Sequence, residues 1–340
     1  MTREGNVLKP PKDPASFNKI APELNELAEI DFVPLLNKDS TNMTPADWTK
    51  MATAVYKRMG PEHGYRGFVI AHGTDTMHFS ASALAFAFGP NLNKPVVFTG
   101  SQTDASVYHG DARINLIRAV RVAQESIAEV VICFGDYVFR GCRTQKCDER
   151  RFRAFESPAF YPIADITERI LVHPIAHRIK QNSKPLDFIP DFESDIFQVS
   201  LIPGLRPELL TPLLDPDHCH GVVLQSFGAG NVPDIGEYSF ESFIREAVSK
   251  EIPVIIASQF PANSTLDTCY EPGVKAIEAG AVPTGNMTNA AATAKFRWVL
   301  ARVQKELHAS KLLPDQKLQR IKYLMGKPYI DEMDVRQRVD

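Results

Sequence analysis

Short apolar runs that alternate with longer helical patterns constrain the fold of this 340-residue chain more than any other feature. From residue 29 onward the sequence predicts strands in "EIDFVPLL", "RGFVIAH", "KPVVFTG" and "EVVICFGD", with helices between them. The helix "TPADWTKMATAVYKRMG" has Thr44 as its predicted N-cap, Pro45 at its first position and Gly60 at its end. This alternation is typical of α/β proteins in which helices cover both faces of a parallel sheet.

A polar, proline-bearing segment at Lys180–Phe197 divides the chain. Beyond it the sequence predicts three strands, a helix in "EYSFESFIREAVSK", and a long helix in "NAAATAKFRWVLARVQKELHAS" that is followed by a charged tail. We therefore predict two α/β domains. The larger covers residues 1–185 and contains a doubly wound sheet, and the smaller covers residues 196–340.

Charge and composition exclude several classes of function. Lysine and arginine total 38 and acidic residues total 41, so the net charge of −3 gives no basic surface for nucleic acid or an anionic membrane. No apolar run approaches the ~20 residues that span a bilayer, and the N-terminus lacks the apolar core of a signal peptide. The five cysteines form no CxxC pair, which favours reduced thiols. These features predict a cytoplasmic protein that binds a small polar ligand.

The first 28 residues do not fit the alternating pattern. They contain no apolar run, and four prolines fall within 22 residues (Pro10, Pro11, Pro14 and Pro22). A doubly wound domain usually opens on a buried strand. Two interpretations stay open: these residues form an irregular leader, or a first strand lies upstream of this sequence.

Polar residues follow four of the predicted strands, at His72–Thr76, Thr99–Asp104, Phe139–Lys146 and Asp39–Pro45. In open parallel sheets, ligands bind beyond the carboxyl ends of the strands. Converging hydroxyls, acids and a lysine suit a site that binds a zwitterion and activates an oxygen nucleophile. Ordinary explanations also exist, because Thr74 and Asp75 fit a helix cap and Lys146 fits a solvated surface position. His72 and His78 have no acidic partner at metal-ligand spacing, so we interpret them as core or surface residues.

Several segments, taken in order, resemble the bacterial-type L-asparaginase family on its cytoplasmic, type I side. They are "DSTNMTPADW", "HGTDTM", "PVVFTGSQ", "GDARINL", "FRGCRTQK", "FRAFESP", "SFGAGNVP" and "GNMTNAAATAK", and they span about residues 30–305. The resemblance implies hydrolysis of L-asparagine to L-aspartate and ammonia through a threonine nucleophile, without a metal or organic cofactor. It also implies a homodimer or homotetramer, with L-asparagine as the small-molecule substrate.

The resemblance assigns roles to particular residues of this chain. Thr74, Asp75 and Lys146 match the family's hydroxyl–acid–lysine group, and we expect them to be catalytic. Ser40 and Thr41 match the loop that grips the substrate's α-carboxylate and amine. Gly73 and Asp75 complete the implied substrate-binding set, with Asp75 facing the α-ammonium.

One departure from the family pattern concerns the nucleophile. The family's attacking threonine lies in a "TGGTI" motif after the first strand, and this sequence contains no such motif. "MTREGNVLKP" resembles the loop that follows it, so a start placed too late is one explanation. A catalytically inactive homologue that binds an amino acid or a partner subunit is the other. An amidotransferase subunit of the same fold is disfavoured, because such chains carry an extra N-terminal domain.

Overall fold

The computed structural model describes residues 20–181, 184–260 and 270–334, together with the backbone of residues 2–4 and 7–9. The chain separates into two compact units, residues 1–190 and 191–340. The predicted linker at Lys180–Phe197 runs without regular structure until a strand begins at Ile196, and its residues 182 and 183 lie outside the described part.

The first unit contains four α-helices and ten strands among its described residues. In chain order they are β1 (Thr2–Glu4), β2 (Val7–Lys9), α1 (Leu24–Leu27), α2 (Pro45–Tyr56), β3 (Phe68–Ala71), α3 (Met77–Phe88), β4 (Val96–Thr99), α4 (Ala112–Val122), β5 (Val130–Phe134), β6 (Tyr137–Arg140), β7 (Gln145–Lys146), β8 (Phe155–Glu156), β9 (Ala164–Ile166) and β10 (Ile170–Val172). The predicted start of α2 is confirmed, because Thr44 is its N-cap and the Asp47 carboxylate accepts the Thr44 backbone N–H at 2.8 Å.

Six strands of this unit form one sheet in the order β10-β9-β6-β5-β4-β3. The strands β3, β4 and β5 are parallel, but β6, β9 and β10 pair antiparallel. The expectation of an all-parallel sheet was therefore wrong for this unit. The physical reason is a tight turn between Phe134 and Tyr137, where Gly135 takes a φ of +58° and lets the chain reverse at once.

One further prediction near the N-terminus was wrong. "EIDFVPLL" (residues 29–36) forms no strand, and its apolar side chains Phe32 and Val33 are exposed. The leader had two interpretations, an irregular segment or a first strand lying upstream; in the structure its residues 2–4 and 7–9 form β1 and β2, which pair antiparallel. Residues 10–19 of that leader lie outside the described part.

Strand β3 differs from its neighbours in burial. Every residue of β4 and β5 is buried, whereas Val69 and Ala71 of β3 are exposed. Within the described residues, β3 pairs only with β4 and ends its side of the sheet. Among those residues it is an edge strand, whose backbone N–H and C=O groups can pair with a further strand.

The second unit contains a four-stranded parallel sheet in the order β11-β12-β13-β14. Its elements are β11 (Ile196–Ser200), β12 (Gly221–Ser226), α5 (Glu241–Ser249), β13 (Val254–Ser258), α6 (Glu271–Glu278), β14 (Val282–Pro283), α7 (Asn289–His308) and α8 (Lys317–Gly326). The predicted charged tail thus contains a helix, α8, which packs against α7. Valine and isoleucine runs make β12 and β13 buried strands, as a parallel sheet requires.

Together the units are a mixed α/β protein with a larger N-terminal sheet and a smaller C-terminal one, which confirms the predicted fold class. In the described part of the chain, no helix combines the length and the apolar character needed to cross a membrane.

Candidate active site

The turn from β3 into α3 carries the "HGTDT" residues. The His72 N–H donates to the Thr99 carbonyl at 2.9 Å, so the β3 pairing extends to the start of the turn. Thr76 is the N-cap of α3, and its hydroxyl donates to the Ser40 carbonyl at 2.7 Å. Thr74 and Asp75 precede this N-cap, at the carboxyl end of a strand where ligands bind in open sheets.

Lys146 reaches this turn from a different part of the first unit. Its Nζ donates to Thr74 Oγ1 at 2.9 Å and to Asp75 Oδ1 at 2.6 Å. Only 13% of the Lys146 side chain is exposed, so the ammonium is held against its partners, while 57% of the Asp75 side chain faces outward. The structure thus joins the three predicted catalytic side chains in one cluster that has an exposed carboxylate and a largely covered lysine.

The packing of Phe155 helps to fix the position of Lys146. Lys146 in β7 pairs with Phe155 in β8, and the Phe155 ring packs on Phe134 with centroids 4.9 Å apart. A lysine amino group between a carboxylate and a hydroxyl can give a proton to, or as a neutral amine take one from, a neighbouring group. The arrangement can therefore support general acid–base chemistry on a substrate at the strand end.

The predicted substrate-binding residues divide into two sets. Ser40 is buried in a short 3₁₀ turn (Ser40–Asn42) and lies directly against Gly73. Thr41 is hydrogen-bonded within its own turn, because both its N–H (2.9 Å) and its hydroxyl (2.8 Å) donate to Asp39 Oδ1. These bonds, the backbone N–H first, hold the pKa of the Asp39 carboxyl below its ordinary value.

Gly73 has no room for a side chain. A Cβ at this position would lie 2.6 Å from Ser40 Oγ and 2.7 Å from Ser40 Cβ, so the Ser40 turn would have to move. The resemblance implies an amino-acid site here, so we expect Gly73→Ala to weaken binding of the probe L-aspartate about tenfold or more, because a displacement near 1 Å is costly in a fitted site. Titration calorimetry measures this. Gly326→Ala, at a glycine with open space around it, is the control, and equal affinity in the two variants would contradict the prediction.

Two histidines beside the cluster belong to buried surroundings that the sequence pattern did not reveal. His72 Nε2 lies 3.0 Å from Ser80 Oγ, which also accepts the Trp48 indole N–H at 3.0 Å. Burial lowers the pKa of His72. Burial, and then the nearby Lys146 charge, lower the pKa of His78 to about 4. Both imidazoles are therefore neutral at pH 7, and nothing in the local sequence decides between the core and surface positions that were predicted for them.

Glu193, Asp195 and His220 of the second unit form a group of ligand-type atoms within 4.8 Å of one another. Protein contacts account for this geometry. Glu193 Oε1 accepts the N–H groups of Ser194 (2.7 Å) and Asp195 (3.1 Å), and its Oε2 lies 3.1 Å from His220 Nδ1. We therefore assign no metal to this group.

Comparison with known families gives two matches in chain order. The model described as "Asparaginase, N-terminal" matches residues 1–177, more than half of the chain. The model described as "Glutaminase/Asparaginase C-terminal domain" matches residues 195–312. The chain belongs to the asparaginase family.

Individual asparaginase-family relatives support this assignment. An L-asparaginase from Thermococcus kodakarensis is 33% identical over 279 residues, which are 82% of this chain and 81% of the relative. The solved structure of the thermostable L-asparaginase from that organism is 30% identical with a TM-score of 0.80, and the match covers 93% of this chain and 92% of that one. A glutamyl-tRNA(Gln) amidotransferase component from Aeropyrum pernix is 33% identical over 88% of this chain and 71% of its own length.

Proposed function

We propose that this asparaginase-family chain hydrolyses L-asparagine to L-aspartate and ammonia. The observation that most directly supports this proposal is the cluster in which Lys146 Nζ donates to both Thr74 Oγ1 and Asp75 Oδ1. The similarity to named L-asparaginases over most of both chains supports the same reaction.

The proposed mechanism uses the cluster to move protons. A threonine hydroxyl attacks the side-chain amide carbon of asparagine, and its proton passes through Thr74 Oγ1 to Lys146 Nζ, which takes it up as a neutral amine. Backbone N–H groups at the start of α3 stabilise the oxyanion of the tetrahedral intermediate. The C–N bond then breaks, and the nitrogen leaves with that proton as ammonia. Water hydrolyses the resulting ester and releases L-aspartate.

The proposed binding mode uses the remaining predicted residues. Asp75, whose carboxylate is partly exposed, pairs with the substrate's α-ammonium. The Ser40–Thr41 turn, which Asp39 braces through two hydrogen bonds from Thr41, holds the α-carboxylate and the amine, and Gly73 lets the substrate approach the backbone. We further propose a cytoplasmic homodimer or homotetramer, in keeping with the family resemblance.

In the family that this chain resembles, the attacking threonine lies in a "TGGTI" motif after the first strand. We propose that a strand carrying this motif pairs with the edge of β3 that has no partner in the described part of the chain, where Val69 and Ala71 are exposed. An apolar strand there would bring its carboxyl end beside the His72–Thr76 turn.

A direct experiment compares two versions of the chain. One is the 340-residue sequence alone, and the other carries an N-terminal extension with an apolar strand followed by Thr-Gly-Gly-Thr-Ile. We expect the extended chain to release ammonia from L-asparagine at least about 100-fold faster, because it gains the nucleophile. An extension with both threonines changed to valine is the matched control. Aspartate binding without ammonia release from the extended chain would instead favour a non-catalytic amino-acid-binding homologue.

The similarity to the glutamyl-tRNA(Gln) amidotransferase component supports a second candidate, in which the chain supplies ammonia to a partner protein. The same ammonia assay with L-glutamine distinguishes the two. Ammonia release from asparagine by the chain alone supports the asparaginase proposal. Ammonia release that requires an amidotransferase partner supports the second candidate.

A further inference from the structure

The segment that carries Lys146 has little regular structure to fix its position. Residues 145–156, which we call the Lys146 hairpin, contain only two paired positions, Gln145 with Glu156 and Lys146 with Phe155. An isolated hairpin of this size is marginal in water. Phe155 anchors the base of the hairpin on Phe134, but the loop beyond the base must be held by other contacts.

Gln102 supplies such a contact at the far end of the hairpin. Its Nε2 donates to the carbonyl oxygen of Asp148 at 3.1 Å and to that of Arg151 at 3.4 Å. Asp148 Oδ1 in turn accepts the N–H groups of Arg150 (2.7 Å) and Arg151 (2.9 Å), so the loop closes on itself. The side-chain amide of Gln102 therefore bonds to two carbonyls of a compact loop that begins two residues after Lys146.

The backbone of Gln102 is itself fixed by hydrogen bonds to a buried carboxylate. The carboxylate of Asp111, a residue that is only 4% exposed, accepts the N–H of Gln102 at 3.1 and 3.0 Å and that of Thr103 at 3.2 Å. Asn115 in α4 donates to the Gly100 carbonyl at 3.0 Å and to Asp111 Oδ2 at 3.2 Å. The loop after β4 is thus fixed to the start of α4, and through Gln102 it can fix the hairpin.

We propose that Gln102 is a positioning residue that holds the Lys146 hairpin, and with it Lys146 Nζ, against Thr74 and Asp75. This inference deepens the proposed function and rests on it. Thr74 and Asp75 are placed by the turn between β3 and α3, whereas Lys146 comes from a hairpin 71 positions further along the chain than Asp75. The two halves of the cluster meet correctly only if the hairpin is fixed, and a shift near 1 Å at a reacting group is enough to reduce turnover strongly.

Hydrogen exchange tests the restraint without relying on catalysis. The N–H groups of Cys147 (2.8 Å) and Asp148 (3.4 Å) both donate to the Ala154 carbonyl, so their exchange reports opening of the hairpin. In the full chain, Gln102→Met should speed exchange in peptides covering residues 145–156 about fivefold or more, since it removes two hydrogen bonds. Gln124→Met is the matched control, because Gln124 Nε2 donates to the Leu27 carbonyl at 2.9 Å, outside the hairpin.

Kinetics in the extended chain then test the positioning role. Gln102→Met should lower kcat about tenfold while KM changes less than about twofold, because substrate binding is kept and the proton-transfer geometry is lost. Gln102→Glu, which keeps the size of the side chain but cannot donate, should behave in the same way. Gln124→Met should leave both constants unchanged.

Each outcome has a definite consequence. Unchanged exchange over residues 145–156 in both Gln102 variants overturns the inference, whatever the activity. Faster exchange with an unchanged kcat also overturns it, because the hairpin would then move without effect on Lys146. Faster exchange in a chain whose extended parent releases no ammonia supports the restraint and overturns the proposed function instead.

Discussion

Lys146→Met in the extended chain should reduce ammonia release from L-asparagine by about 100-fold to 10,000-fold, the range typical for loss of a general acid–base group. Methionine has similar length but no proton to give, so Thr74 Oγ1 and Asp75 Oδ1 both lose their donor. A steady-state ammonia assay with the purified chains measures the effect. KM should change far less than kcat, because the substrate's α-groups are expected to bind to other residues.

Two further variants make this result specific to the cluster. Lys57→Met changes an exposed lysine in the same unit and should keep full activity. Thr74→Val keeps the shape of the side chain, removes the hydroxyl that accepts from Lys146, and should show a loss comparable to that of Lys146→Met. Full turnover in Lys146→Met would remove this lysine from the mechanism.

Lys295→Met should lower the stability of the second unit by about 3–5 kcal/mol, as expected when one partner of a buried ion pair is removed. Lys295 and Glu332 side chains are both completely buried, with Nζ and Oε1 2.5 Å apart. Lys295 Nζ also donates to the Met325 carbonyl at 3.0 Å and the Lys327 carbonyl at 2.8 Å. The variant leaves the Glu332 carboxylate and these carbonyls without that donor. Urea denaturation followed by circular dichroism measures the loss.

A double variant separates loss of the ion pair from loss of packing. Lys295→Met with Glu332→Leu removes both charges, so it should recover a large part of the lost stability. Arg245→Met is the control, because its partner Glu241 forms an exposed pair on α5, worth about 0.5 kcal/mol or less. A double variant no more stable than Lys295→Met would contradict the ion-pair explanation.

This buried pair also shows how little the sequence reveals about the predicted charged tail. The sequence predicted only that a charged tail follows the long helix, whereas the structure forms α8 from Lys317–Gly326 and buries Glu332. A buried lysine on α7 and a buried glutamate 37 positions later look like two surface charges in the sequence. Only the distance between them in the fold identifies them as partners.

The N-terminal sheet shows a similar limit. Alternating apolar runs correctly predicted β3, β4 and β5 and the helices between them, because burial of both faces imposes that pattern. The turn at Gly135 was not recognised, so the antiparallel half of the sheet was missed. Residues 29–36 have strand-like composition but lie in an exposed, irregular segment of the described chain. Composition favours a strand, but pairing with a neighbour is what forms one.

For the candidate site too, the sequence predicted some features and only the structure showed others. The strand-to-helix transition at "HGTDT" was predicted from local pattern, and the resemblance named Thr74, Asp75, Lys146, Ser40, Thr41 and Gly73. The structure adds which of these touch: Lys146 bonds to Thr74 and Asp75, Ser40 packs on Gly73, and Thr41 bonds to Asp39. Gln102 and the buried histidines had no distinguishing local signal.

The sequence by itself determined the α/β class, the two-part division and the family, because these depend on hydrophobic periodicity and on motifs that are local in the chain. The tertiary structure alone decided that β3 is an open edge within the described residues, that Lys146 meets residues 71 and 72 positions before it, and that Gln102 holds the loop beside that lysine. The physical reason is that hydrogen bonds and ion pairs depend on a separation of about 3 Å in space. Chain distance does not encode that separation until the sheet and its turns have formed.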